Sequence, residues 1–260
     1  VWEFPSKKRI KEWEEEQGNQ GAENLAISPD GQWLAVGKDN NTAIVYKTSK
    51  KQKAFTFEFS EYYSSCGGCI TDVDFSSDSK YLLKSSKRGE VAKYNLTDGK
   101  LVIRYKRKIE DLTSASFSRD GKWVLACTNK EVTLYDATKG DSIRTFSLDI
   151  EAEINQAKFT NDDKKVLMAC DNNVVLTYDA ATGKKRQELT GFLNKRDKGG
   201  LTYDPNSYWD SYIAKYVRYK NDLLLSRDNK SLLKGKFGSK IKRWDIATGK
   251  TEMEYVGHDK

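Results

Sequence analysis

Ser114-Ala115-Ser116-Phe117-Ser118-Arg119-Asp120-Gly121-Lys122-Trp123-Val124-Leu125-Ala126-Cys127 is the stretch from which the fold is read. Ala115 and Phe117 alternate with serines, as in a strand with one apolar side. Ser118-Arg119-Asp120-Gly121 then supplies turn chemistry, because Ser and Asp side chains hydrogen-bond the local backbone and Gly tolerates positive φ. Trp123-Val124-Leu125-Ala126 is a continuous apolar run, the mark of a short strand buried on both faces.

Working outward, the same plan returns at residues 25–37, 72–85, 156–170 and 222–235. Anchored on the Ser or Thr of the S-x-D element (Ser28, Ser76, Ser118, Thr160 and Ser226), the spacings are 48, 42, 42 and 66. An aromatic follows each anchor by 17 or 18 residues: Tyr46, Tyr94, Tyr135, Tyr178 and Trp244. Most of these lead into a polar residue and a T-x-G or T-G turn, as in Asn95 with Thr97-Asp98-Gly99 and Asp245 with Thr248-Gly249. Self-similarity at this period defines the architecture before any single element is assigned. Each repeat reads as four strands. Strand A carries the alternation, strand B the apolar run, strand C the aromatic (Val132-Thr133-Leu134-Tyr135-Asp136), and strand D follows the turn, as in Ile143-Arg144-Thr145-Phe146. Four-stranded units of about 40–45 residues are β-propeller blades, whose neighbouring sheets bury each other's faces.

These residues resemble the WD-repeat family. Trp244-Asp245 is its signature dipeptide, Gly257-His258 its Gly-His element, and Ser28-Pro29-Asp30-Gly31 matches its A–B turn. Four of the five strand-C aromatics are Tyr instead of Trp, and Gly-His occurs only at the C-terminal edge. The expected fold class is all-β: five complete four-stranded blades, with partial blades at both ends of what the resemblance implies is a seven-bladed ring. Blades are expected at 18–59, 60–106, 107–149, 150–190 and 221–256, with an insert at 191–220. Residues 1–17 would end a preceding blade, with Val1 to Phe4 as its strand C and Arg9 to Trp13 as its strand D, and residues 257–260 would open a following one. Raw sheet edges are avoided in natural proteins, so the chain is expected to be a piece of a longer one.

Composition narrows the function. The 260 residues include 45 Lys+Arg against 38 Asp+Glu, for a net charge of +7, and 30 aromatics argue against disorder. A mean hydropathy of −0.76 goes with the absence of any apolar run near the ~20 residues of a membrane-spanning helix. The one His is His258, which disfavours His-based triads and His-rich metal sites. Four Cys are too few for a disulfide scaffold. Cys127 and Cys170 read as small strand-end residues. Cys66-Gly67-Gly68-Cys69 reads as a flexible loop, a surface disulfide or labile metal site, or a site of thiol catalysis, and it lacks the βαβ context of a redox motif. The recurring Asp30, Asp78, Asp120, Asp162 and Asp228 read as turn formers. No metal site, cofactor or small-molecule substrate is expected, and an intracellular location, cytoplasmic or nuclear, is.

The resemblance places the D–A and B–C connections on one partner-binding face. The extra chain length falls in two D–A connections, one around residues 60–69 and one at 191–220. The second holds seven aromatics and six Lys/Arg against three Asp. Its Trp209, Tyr212, Ile213, Tyr216 and Val217 have helical spacing after Asp204-Pro205-Asn206-Ser207, although 213–219 also aligns as a strand A. Its composition suits protein-interface hot spots or base stacking, and a helix that simply caps the blades is the other reading. Expected partner contacts are Tyr62, Tyr63, Arg196, Tyr208, Trp209 and Tyr212. A basic face is expected from Lys38, Lys87, Arg88, Lys130, Lys195, Lys198 and Lys236. The function that follows is a non-catalytic scaffold for protein–protein assembly, with other proteins as partners. The alternatives are an RNA- or ribonucleoprotein-binding propeller that uses the basic face, and a sensor module of a larger enzyme or NTPase.

Overall fold

The structure is a computed structural model that describes residues 22–38, 40–50, 52–58, 70–105, 112–171, 174–189, 223–226, 228–234 and 241–255, with two short strands before them. Those two, β1 (Trp2–Glu3) and β2 (Lys8–Arg9), pair antiparallel through Trp2 opposite Arg9. Of the return strand expected at Arg9 to Trp13, Arg9 lies in β2 and residues 10–13 lie outside the described residues.

Five four-stranded antiparallel meanders follow in chain order. The first blade is β3 (Ala22–Ile27), β4 (Trp33–Lys38), β5 (Thr42–Lys47) and β6 (Gln52–Glu58). The second is β7 (Ile70–Phe75), β8 (Tyr81–Ser86), β9 (Val91–Asn95) and β10 (Leu101–Tyr105). The third is β11 (Leu112–Phe117), β12 (Trp123–Thr128), β13 (Glu131–Asp136) and β14 (Ser142–Ser147). The fourth is β15 (Ile154–Phe159), β16 (Lys165–Cys170), β17 (Val175–Asp179) and β18 (Lys185–Leu189). The fifth is β19 (Leu223–Leu225), β20 (Ser231–Lys234), β21 (Ile241–Asp245) and β22 (Thr251–Tyr255). The described residues contain no helix. The repeat extends to ladder irregularities: the C–D pairing shifts register beside the strand-C aromatic in every blade, as at Val45/Tyr46 and Thr177/Tyr178.

Strand B explains why the apolar run must be continuous. Along β8, Leu82 joins a core with Ala35, Val45 and Phe57 of the first blade, while Leu83 joins one with Leu112 and Val124 of the third. Along β16, Val166 and Met168 face the third blade, and Leu167 and Ala169 face Leu232 of the fifth. A period of two thus supplies two separate cores from one strand. Stability therefore resides between blades, each fully buried aliphatic side chain contributing roughly 1.5–3 kcal/mol.

Aromatic rings tie the blades in the same phase. Tyr94 meets Phe57 in a tilted pair with centroids 4.3 Å apart, Tyr135 meets Tyr105 at 5.5 Å, and Tyr178 meets Phe146 at 5.7 Å. In each pair a strand-C ring touches a strand-D ring of the preceding blade. Two turn glycines show how closely the blades approach. A Cβ on Gly99 (φ +70°) would lie 2.6 Å from Phe55 Cδ1, and one on Gly183 (φ +75°) 2.5 Å from Arg144 Cδ. Those sites require glycine for both backbone and space.

Candidate functional site

The antiparallel meander sends the A–B and C–D turns to one end of every blade and the B–C turns and D–A connections to the other. The first end, the turn face, is a regular hydrogen-bonded lattice. In each A–B turn the anchor hydroxyl donates to the Asp two residues on, at 2.6–2.7 Å in Ser28–Asp30, Ser76–Asp78, Ser118–Asp120, Thr160–Asp162 and Ser226–Asp228. The same Asp accepts the amide two residues further, and the anchor oxygen accepts an amide from strand B, such as Trp123 N at 2.9 Å. The Ser28 bond, then the Gln32 amide, holds the Asp30 carboxyl below its ordinary range, and Ser226 does the same for Asp228. The five acids are turn formers, as read from the sequence, and they stay ionised at neutral pH.

Between blades the turn face is stitched by residues at positive φ. Ser79 Oγ accepts from Asp30 N at 3.1 Å, Asp163 accepts from Arg119 N and Asp120 N at 2.8 Å, and Asn229 Oδ1 accepts from Asn161 N at 2.7 Å. Nothing in the sequence reading singled these out. The signal was available, since they replace the glycine of the other two S-x-D-G turns.

A channel of about 670 Å3 runs along the strand-A residues of the first four blades. Its lining is mixed: Asn24, Asp72, Asp74, Ser114, Gln156 and Lys158 contribute polar groups beside Leu25, Ile27, Val73 and Phe117. Several of these groups hold neighbouring A strands together. Asn24 Nδ2 donates to Ile70 O at 2.8 Å, Ala157 N donates to Ser114 Oγ at 3.2 Å, and Phe117 N donates to Asp74 Oδ2 at 2.8 Å. Burial pushes the Asp74 carboxyl up to about 6, against the pull of the Phe117 amide and Lys158. Asp74 was not anticipated from the sequence.

At the loop face, Lys38 ends β4, Lys87 and Arg88 occupy the β8–β9 turn, and Lys130 lies exposed in the β12–β13 turn. The same end of the third and fourth blades carries acids. Asn129 Nδ2 donates to Glu153 at 3.3 Å, and Glu153 N donates to Asp171 at 3.0 Å. Glu151 is exposed beside them. Basic and acidic sectors therefore share this face. The expected contacts Tyr62, Tyr63, Arg196, Tyr208, Trp209 and Tyr212, the expected helix, Lys195, Lys198, Lys236, and Cys66 and Cys69 lie outside the described residues. The segment that carries most of them connects Leu189, buried at the end of β18, to Leu223 at the start of β19. Cys127 and Cys170 are both buried in one interblade core.

Two buried cations sit in the second blade. Lys84 Nζ donates to Phe57 O of the first blade at 3.2 Å and lies 5.4 Å from the Tyr94 ring centroid. Burial pulls its ammonium down to about 7, opposed by Glu90. Lys93 Nζ reaches Ala137 O of the third blade at 2.6 Å and sits over Tyr81. Among the described residues no group of three or more His, Cys, Asp or Glu is arranged to hold a metal ion.

A family model described as WD domain, G-beta repeat, matches residues 17–47 and 99–136. Both matches end in the same phase, at the residue after the strand-C aromatic. The WD repeat-containing protein 26 homolog of Drosophila melanogaster is 29% identical over 157 residues, 54% of this chain and 22% of that protein. Echinoderm microtubule-associated protein-like 4 is 27% identical over 104 residues in both Xenopus tropicalis and Homo sapiens, covering 39% of this chain and 11% and 10% of those proteins. The chain thus spans less than a quarter of the length of these relatives. With five successive four-stranded blades, each carrying its S-x-D turn and strand-C aromatic, the chain is built of WD-type repeats folded as β-propeller blades.

Proposed function

We propose that the chain is a non-catalytic platform for protein–protein assembly, with its partner held at the loop face and the residue 191–220 segment as the principal contact. WD-repeat proteins act generally as interaction scaffolds. The observation that carries the reading here is where the stability lies. The cores sit between blades and the turn face is closed on itself by hydrogen bonds, so connections at the loop face vary without cost to the fold. The longest connection leaves and re-enters the blades at Leu189 and Leu223, at that face. Its Trp, Tyr and Arg content is that of interface anchors. An RNA partner is the weaker reading, because Glu151, Glu153 and Asp171 interrupt the basic sector of Lys38, Lys87, Arg88 and Lys130.

The test is affinity capture with the full chain, compared with a variant in which residues 192–219 are replaced by a short Gly-Ser linker and with the pair Trp209→Ala and Tyr212→Ala. The expected result is loss of the bound set in the deletion and weakening of roughly 30-fold or more for each hot-spot substitution. An unchanged bound set would make the segment a structural cap. Binding that falls steeply with salt would move the assignment to nucleic acid.

A further inference from the structure

The C–D turn of the first blade departs from the rule the other four obey. There the strand-C aromatic is followed by Asn95, Asp136, Asp179 or Asp245, whose side chain accepts an amide from within the turn, and a positive-φ glycine completes it. In the first blade the position is Lys47, and Thr48-Ser49-Lys50 brings no glycine. Lys47 instead sets its ammonium 5.5 Å from the Trp33 ring centroid. Lys53, opposite Tyr46 in the ladder, occupies the position of Leu101, Ser142, Lys185 and Thr251. Where one copy of a repeat gives up its own turn chemistry, function is the first explanation to try.

Beside this turn a cavity of about 540 Å3 opens between the first and second blades. Trp33, Phe55 and Leu96 give it an apolar wall, with the two rings 6.1 Å apart. Lys47, Lys53 and Lys80 also line it, and no carboxylate does. Lys80 lies 3.7 Å from Asp78, whereas Lys47 and Lys53 form no ion pair with any described residue. Two exposed cations without an ion-pair partner among the described residues and a half-buried aromatic wall thus meet in one groove that no carboxylate lines.

We propose that this groove docks a short acidic peptide segment of a partner protein, with an apolar side chain against Trp33, Phe55 and Leu96 and carboxylates met by Lys47 and Lys53. This goes beyond the loop-face platform, since it lies at the opposite end of the blades and does not depend on the long connection. A nucleic-acid strand fits the surroundings less well. The rest of the turn face is of mixed sign, with Asp30, Asp120, Asp136, Asp228 and Asp245 interleaved with Lys122, Lys139, Lys230 and Lys250, and hydrogen bonds hold the carboxyls of Asp30, Asp136 and Asp245 below their ordinary range. An extended polyanion would run from the three groove lysines onto carboxylates as well as lysines, whereas a short acidic segment stays within the groove that no carboxylate lines.

Selection of a random-peptide display library on the full chain tests the proposal, followed by the synthesised winning peptide and by oligothymidylate as competitor. The expected winners combine Asp or Glu with an apolar residue. Their Kd rises about tenfold or more in Lys47→Asp/Lys53→Ser. That variant installs the residues the third blade carries at 136 and 142, so its melting temperature is expected to match the parent's. Enrichment of non-acidic peptides, no enrichment, affinity retained by the variant, or tighter binding of oligothymidylate at the groove would each overturn the proposal.

Discussion

The interface between the first and second blades and the one between the third and fourth are built on one backbone plan with different chemistry. In the fourth blade the strand-B residues facing backwards are Val166, Met168 and Cys170, all buried among Leu125, Phe146 and other apolar side chains. In the second blade the matching positions are Leu82, Lys84 and Ser86, also buried. Lys84 and Met168 each stand eight residues past their anchors, Ser76 and Thr160. The lysine stem fills the volume that methionine fills, and the ammonium reaches Phe57 O, with Glu58 and Glu90 acting on it. The repeat fixes where a side chain points. What that side chain is made of is settled locally, by the groups that the preceding blade offers.

Exchanging the two residues is the strongest way to break the comparison. Ser147 and Val174 stand where Glu58 and Glu90 stand, so Met168→Lys would bury an ammonium with no carboxylate in those positions. Its expected cost is about 3–5 kcal/mol, measured by urea unfolding. The reverse exchange, Lys84→Met, is expected to stabilise by about 1 kcal/mol, because replacing a buried charge with an apolar side chain of similar volume removes a desolvation penalty. It also changes the pH profile. The folded-state Lys84 titrates at about 7 and the unfolded one near 10.5, so between those values the unfolded chain binds more protons and parent stability rises with pH. The Met variant should lose that rise. A rise that persists in the variant would assign it to another group.

The same comparison shows what could be read in advance. The blade count, the strand order and the turn role of the five recurring acids follow from Ser118-Arg119-Asp120-Gly121 and its four relatives, because that turn and the aromatic 17 or 18 residues later fix the register of both hairpins. Lys84 was not legible. A lysine in a strand reads as solvent-facing, and only its alignment with Val36, Ala126 and Met168 marks the position as buried. Asp74 escaped for the same reason, being a carboxylate whose acceptor role is set by the Phe117 amide of another blade. The Lys47 turn escaped differently. A repeat is recognised by what most copies share, and the informative copy was the one that did not conform.

The smallest expected effects come from the turn-face stitches of the same two interfaces. Ser79 and Asp163 both sit at positive φ, +58° and +56°, in the slot where Gly31 and Gly121 show that glycine is accepted. Ser79 contributes one bond, from Asp30 N at 3.1 Å, whereas Asp163 binds two amides at 2.8 Å with a charged acceptor. Substituting glycine relieves the left-handed strain in both, by about 1 kcal/mol. In Ser79→Gly that relief roughly offsets a single neutral hydrogen bond of about 1 kcal/mol, so stability should move by less than about 0.5 kcal/mol. In Asp163→Gly it does not offset two charge-assisted bonds, and a loss of about 1 kcal/mol is expected. A gain of about 1 kcal/mol in both variants, in paired thermal melts, would mean that the stitches carry no energy and that the interblade cores alone hold this face together.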